Sequence, residues 1–240
     1  MIVSHLPARR RNKDEAEKPF WISFADLMTA LMVLFLVVMG VALLAITNNV
    51  SEREQREEQH RKDIEEVFDR LSQAAARHDG VKIDRARHVI DFGDRARFGF
   101  GKSTLAAEQE GVLRQFVPEI IDLANSSLGL RAMKRVVVEG YADRTGTYLA
   151  NLNLSLQRSQ RVLCAMFAGA GASLLSNVQK ESVRELFLVG GYSFNAAKDS
   201  DEESRRVEMR LEFLGLGEER ASTVADAPTG AESFGECALR

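Results

Sequence analysis

One acidic side chain stands inside the longest apolar run of the chain. From Phe20 to Thr47 the residues read FWISFADLMTALMVLFLVVMGVALLAIT, and Asp26 is the single charged residue among them. A carboxylate at the centre of a membrane helix costs on the order of 2–3 kcal/mol, and less toward the interface. Hydrocarbon surroundings disfavour the charged form, so a carboxyl group held there can take up a proton and give it back. Asp26 lies about six residues into the run, roughly 9 Å along a helix axis. The competing reading is a carboxylate near the headgroups that reaches water, but an aspartate side chain is short. Ser23, Asp26, Ala30, Val33, Val37 and Gly40 recur at alternating spacings of 3 and 4, which traces one helix face. That face is small and partly polar, the kind that lets membrane helices pack closely. Asp26 is therefore expected to carry ions at a helix–helix contact.

The other residues with chemical potential form no constellation. His5, His60, His78 and His88 make no ligand cluster, and Cys164 and Cys237 fit no metal spacing and form no CxxC. Whether the two cysteines pair is left open by the sequence. Gly101-Lys102-Ser103 looks like the end of a phosphate loop, but the Gly that such a loop needs five positions earlier is Ala96. A net charge of −3 argues against a nucleic-acid partner. The expectation is a chain that is not an enzyme and has no metal and no cofactor.

The apolar run must be positioned by a membrane. Leu27 to Ile46 supplies the ~20 residues that cross ~30 Å of hydrocarbon. It is too long for a cleavable signal, carries a charge and lacks a convincing cleavage site. Before it come Arg9, Arg10, Arg11, Lys13 and Lys18, and after it Ser51 to Asp79 is acidic on balance. The positive-inside rule then places residues 1–19 in the cytoplasm, residues 20–47 across the inner membrane of a bacterium, and the rest in the periplasm.

Beyond the membrane, residues 48–80 read as a charged helical linker. Ile64, Val67/Phe68, Leu71 and Ala74/Ala75 recur at helical spacing. Two heptads support equally a stalk paired with a second copy and a lone helix packed on the following domain. Residues 81–214 alternate strand and helix signals: a strand at Val89–Phe92, a helix at Leu105–Ala124, a strand at Arg135–Gly140, a helix at Asn151–Phe167, and strands at Glu185–Val189 and Val207–Phe213. That pattern predicts an α/β (α+β) domain. The small polar tail, residues 215–240, is expected to be flexible.

Two resemblances give these segments a function. PFWISFADLMTALMVLFLVV resembles the membrane helix of flagellar stator B subunits, with Trp21, Phe24, Asp26, Met28, Thr29, Leu31, Met32 and Phe35 in the expected order. The resemblance implies Asp26 as the ion-carrying group, a homodimer of this chain, and five copies of a multi-pass A-type subunit around it. EGYADRTGTYLANLNLSLQRSQRV, with ESRRVEMRLEF later, resembles the OmpA-like peptidoglycan-binding domain. Gly140 and Asp143 match its loop, Asn151, Leu154, Ser155, Arg158 and Val162 its helix, and Arg205, Arg206 and Val207 its closing strand.

This second resemblance implies peptidoglycan binding through Asp143, Asn151, Leu154, Arg158 and Arg206. Asp143 and Arg158 are expected to grip the ammonium and carboxylate that share one carbon of diaminopimelate, a pairing that Arg can make bidentately. Tyr141, Ala142 and Ser204 depart from the family's usual residues. The compact N-terminus, the short stalk and the FADLMTALMVLFLVV wording look most like the B subunits of Zorya anti-phage defence systems. Flagellar stator B subunits are the runner-up, and a passive peptidoglycan-binding membrane tether is the third reading.

Overall fold

A computed structural model describes residues 14–167, 175–220, 234 and 237. The chain divides into two compact units, Met1–Arg56 and Glu57–Arg240.

The first unit is the leading part of α1 (Asp14–Ala75). Its most apolar 18-residue window has a mean hydropathy of 2.8, long and apolar enough to cross a membrane. The residues from Trp21 to Val50 are exposed, so nothing among the described residues buries this surface. The charges that follow are laid out at helical spacing, as in the Glu52–Arg56 ion pair at 3.6 Å.

The second unit begins with the last turns of α1. Val67, Phe68, Leu71, Ala74 and Ala75 are buried in its core, and Phe68 packs against His88 and Phe213. Of the two readings open for the 48–80 segment, the end of α1 follows the packed helix. It belongs to the globular core rather than to a linker.

After α1 come β1 (Lys82–Asp84), β2 (Val89–Asp91), α2 (Ala107–Asn125), α3 (Ser127–Ala132), β3 (Met133–Gly140), α4 (Tyr148–Phe167), α5 (Asn177–Leu186), β4 (Phe187–Gly191), α6 (Asp201–Ser204) and β5 (Val207–Phe213). The sheet order is β1-β2-β5-β3-β4, with β3 and β4 parallel and the other pairs antiparallel. This is the α/β (α+β) domain that the alternating signals predict. The strand expected at Glu185 starts later, at Phe187. Ser176 and Gln179 form a capping box that opens α5, and that helix runs through Leu186.

Period-2 alternation decides what each sheet face carries. Ile90, Val136, Val138, Val207, Met209 and Leu211 join Phe116 and Ile120 of α2 and Val162 and Met166 of α4 in one core. The opposite face carries Glu139 and Glu208, directly opposite each other in register and both buried. Each is neutralised: Arg210 donates to both Glu139 oxygens at 2.7 and 2.9 Å, and Arg206 and Arg87 donate to Glu208.

Two glycines set the height of α4 over the sheet. Gly140 and Gly191 are partners on adjacent strands. A Cβ on Gly140 would lie 1.9 Å from the Ser155 carbonyl oxygen, and one on Gly191 would lie 2.7 Å from the Leu156 nitrogen. Only bare backbone admits the helix this close.

The segment after β5 is held down where it is described. Arg220 donates to the carbonyls of Ala124, Gly129 and Met133, and Glu218 pairs with Lys134. Cys164 and Cys237 are joined in a disulfide, and Phe234 packs on Phe167 at 5.1 Å between ring centroids. The expectation of a flexible tail does not hold for residues 215–220; most of the remainder lies outside the described residues.

Candidate functional site

On α1, Asp26 shares an exposed groove with Thr29, Ala30, Val33, Leu34 and Val37. The Thr29 hydroxyl donates to the Asp26 carbonyl at 2.8 Å, which turns its polar group back onto the helix. Asp26 is the one acidic side chain of this groove.

In the second unit, the loop from Tyr141 to Thr147 joins β3 to α4 and carries Asp143. Asp143 is buried, with its Oδ1 accepting from the Thr145 N–H at 2.9 Å. Its Oδ2 accepts from Arg205 Nη1 at 3.2 Å. Gly146, at φ +102°, lets the loop turn into α4. Asn151, on the first turn of α4, donates from its side chain to the Thr145 carbonyl at 3.0 Å. Asn151 therefore shapes the Asp143 loop. Leu154 is half-buried one turn further along.

Arg158 lies on α4, close enough to Asp143 for the two charges to interact. It is wholly buried, and each of its three nitrogens donates to a backbone carbonyl: Nε to Lys102 at 3.0 Å, Nη1 to Tyr141 at 2.7 Å, Nη2 to Gly99 at 3.3 Å. Its guanidinium lies over the Phe98 ring, 5.2 Å from the centroid. Burial lowers its pKa to about 10, against the opposing pull of Asp143. No ion pair joins it to Asp143 among the described residues.

Arg206 is buried as well. It donates to Glu208 at 2.8 Å and to the Ala196 carbonyl at 3.3 Å, and lies over the Tyr141 ring at 4.3 Å. The Tyr141 hydroxyl donates to Glu139 at 2.6 Å, and burial together with that carboxylate pushes its pKa well above the usual phenol range. The arginine that faces Asp143 is Arg205, which the motif contains but the site reading passed over. Arg205 caps α6 ahead of β5, so strand alternation does not reach it, while Arg206 turns to Glu208 two residues on. No group of three or more His, Cys, Asp or Glu suited to a metal occurs among the described residues.

Over 224 residues the chain is 44% identical to the Zorya protein ZorB of Escherichia coli O139:H28, covering 92% of this chain and 91% of that protein. The chain belongs to the ZorB family. Residues 8–48 of this ZorB relative also match the family described as membrane MotB of the proton-channel complex MotA/MotB. Among solved structures, a MotB-like protein from Desulfovibrio vulgaris shares 16% identity at a TM-score of 0.39, covering 64% of this chain and 98% of that one. The OmpA-like domain of FopA1 from Francisella tularensis shares 24% at 0.36, covering 53% and 75%. The peptidoglycan-associated lipoprotein of Burkholderia pseudomallei shares 14% at 0.33, covering 54% and 92%.

Proposed function

We propose that the chain is the B subunit of an ion-driven rotary stator in Zorya anti-phage defence, anchored to peptidoglycan by its folded domain. The observation that carries the reading is Asp26: a lone acid on the apolar face of α1, inside the segment that matches the MotB family. Identity to ZorB across nearly the whole chain favours Zorya over a flagellar motor, and a passive tether has no use for an acid in hydrocarbon.

In this reading residues 20–47 cross the inner membrane, with the N-terminus cytoplasmic and the folded domain periplasmic. The basic flank before the span supports that orientation. So does the Cys164–Cys237 disulfide, which belongs to an oxidising compartment. Asp26 accepts an ion from outside at the contact with the A-type subunit and releases it inward. Each charge crossing 100 mV supplies ~2.3 kcal/mol. Two copies of this chain stand within five A subunits, and their folded domains hold peptidoglycan around the Asp143 loop, which Asn151, Leu154 and Arg158 frame.

Asp26→Asn keeps size and polarity and removes the ionisable group. Expected is a complex of unchanged subunit composition by native mass spectrometry, two copies with five, and complete loss of protection in a phage plaque assay. Protection by the variant, or a lone stable monomer of this chain, overturns the reading.

A further inference from the structure

The sheet has two edges, and the fold treats them differently. At one end β1 is short and bears Lys82 and Asp84, and Arg85 beside it is tied to Glu65 and Asp69 of α1. Charge and brevity keep an edge from recruiting another strand. At the other end β4 reads FLVGG, with no charge and no proline, and pairs with β3 without a bulge along its whole length. Two large residues on its face away from the core, Leu188 within the strand and Tyr192 just after it, are 46% and 36% exposed.

The hydrogen bonds show which backbone groups this edge offers. The Tyr192 N–H donates to the Gly140 carbonyl on β3 at 3.0 Å. Successive residues of a strand turn their backbone groups to opposite sides, so Leu188 and Gly190 also face β3. Phe187, Val189 and Gly191 therefore face outward. The Phe187 N–H is spent on the Val183 carbonyl at the end of α5. No hydrogen bond among the described residues takes up the Val189 and Gly191 groups, or the Phe187 carbonyl, on that side. Unpaired backbone groups in a row are a template for another strand.

The strand is also its own complement. Turned antiparallel about Val189, it sets Phe187 opposite Gly191 of the partner subunit and Leu188 opposite the partner's Gly190. Each large side chain thus meets a bare backbone position. The Tyr192 ring already lies over Gly190, where a Cβ would come within 3.0 Å of it. Leu188 then closes on the partner's Tyr192, and the two exposed apolar groups cover each other. Val189 meets its own copy and exchanges both main-chain bonds with it, as an outward-facing pair does. Gly191 donates to the carbonyl of the partner's Phe187. No like charges face each other, because the strand has none.

We infer, resting on the reading of the chain as a dimer, that the β4 edge joins the folded domains of two copies as one antiparallel strand pair about Val189. The two sheets then run into one another. A second copy is favoured over a foreign strand because this register satisfies the edge with its own residues alone.

The test uses membranes that hold the full chain with its A-type partner. Diagonal neighbours across an antiparallel pair lie about 7–8 Å apart, so a short bis-thiol reagent should join two copies through Leu188→Cys. The native cysteines are bonded to each other and do not react. Lys82→Cys, on the opposite edge, should give no such dimer. Val189→Pro removes only the outward N–H. Added to Leu188→Cys, it should cut the yield roughly tenfold, the scale of losing a pair of main-chain bonds. If that double variant does not fold, the contrast between Leu188→Cys and Lys82→Cys still decides. Native mass spectrometry counts the copies in each complex. Two copies without a Leu188→Cys dimer overturn the strand pairing and leave the dimer reading intact. So does a yield no higher than that of Lys82→Cys, or a product joined to a different protein. A complex with one copy overturns both.

Discussion

Arg131 Nε lies 3.1 Å from Asp63 Oδ2, tying the end of α1 to α3 across 68 residues of sequence. Gln59 donates to the same carboxylate at 2.9 Å. The Arg131 hydrogen bond holds the Asp63 carboxyl below its ordinary value of 3.8, in spite of partial burial. A depressed carboxyl contributes stability that is present above its unfolded pKa and lost as pH falls through the folded value. Asp63→Asn is therefore expected to lower the urea midpoint at pH 7. The gap to the unsubstituted chain should narrow below about pH 4 and close on further acidification.

Removing the Arg158 side chain leaves three carbonyls, of Gly99, Lys102 and Tyr141, without their donor. Orphaned buried groups cost about 1–3 kcal/mol each, with partial relief from water. Arg158→Ala is expected to destabilise the domain by about 3 kcal/mol or more in urea unfolding. Any loss of wall binding in that variant should come with the loss of stability.

Gly140→Ala tests the seat of α4. The added methyl meets the Ser155 carbonyl oxygen at 1.9 Å, a contact with helix backbone that no rotamer change relieves. Overpacking of this kind costs about 1–3 kcal/mol. Thermal unfolding should show a loss at or above the top of that range. Gly111→Ala, where nothing lies within 4 Å, should be neutral or slightly stabilising as a control.

The Cys164–Cys237 bond closes a loop spanning 73 residues of sequence. Reduction is expected to lower stability by roughly 2–4 kcal/mol. Cys237→Ser should match the reduced chain and be indifferent to reductant. Melting curves with and without reductant read both. Thiol labelling of membranes from intact cells, expected to find neither cysteine free, checks the compartment.

Much of this organisation was legible because it rests on composition and period. The apolar run around Asp26 announces itself by length, and Val207–Phe213 by strict alternation, and both fall where the signals put them. The stalk was ambiguous because an amphipathic helix shows the same stripe to a second copy as to its own domain. Only burial of Phe68 and Leu71 distinguishes the two. The roles of the arginines were hidden for another reason. Sequence spacing tells which residues share an element, but the carbonyls that claim Arg158 come from 56 and 59 residues away as well as from Tyr141. Which of Arg158, Arg205 and Arg206 keeps a free edge is a property of the assembled sheet.

The place of β5 in the sheet governs when that assembly happens. It lies between β2 and β3, so until it arrives the domain consists of a β1–β2 hairpin and a β3–β4 pair with no strand hydrogen bonds joining them. Arg205, the partner of Asp143, lies two residues before it. Closing the sheet thus needs its most distant pairing in sequence, the kind of contact that is slow to form. A nascent or truncated chain that ends before Val207 lacks the strand that closes the sheet. An incomplete copy is in this way left with two separate strand pairs in place of one sheet.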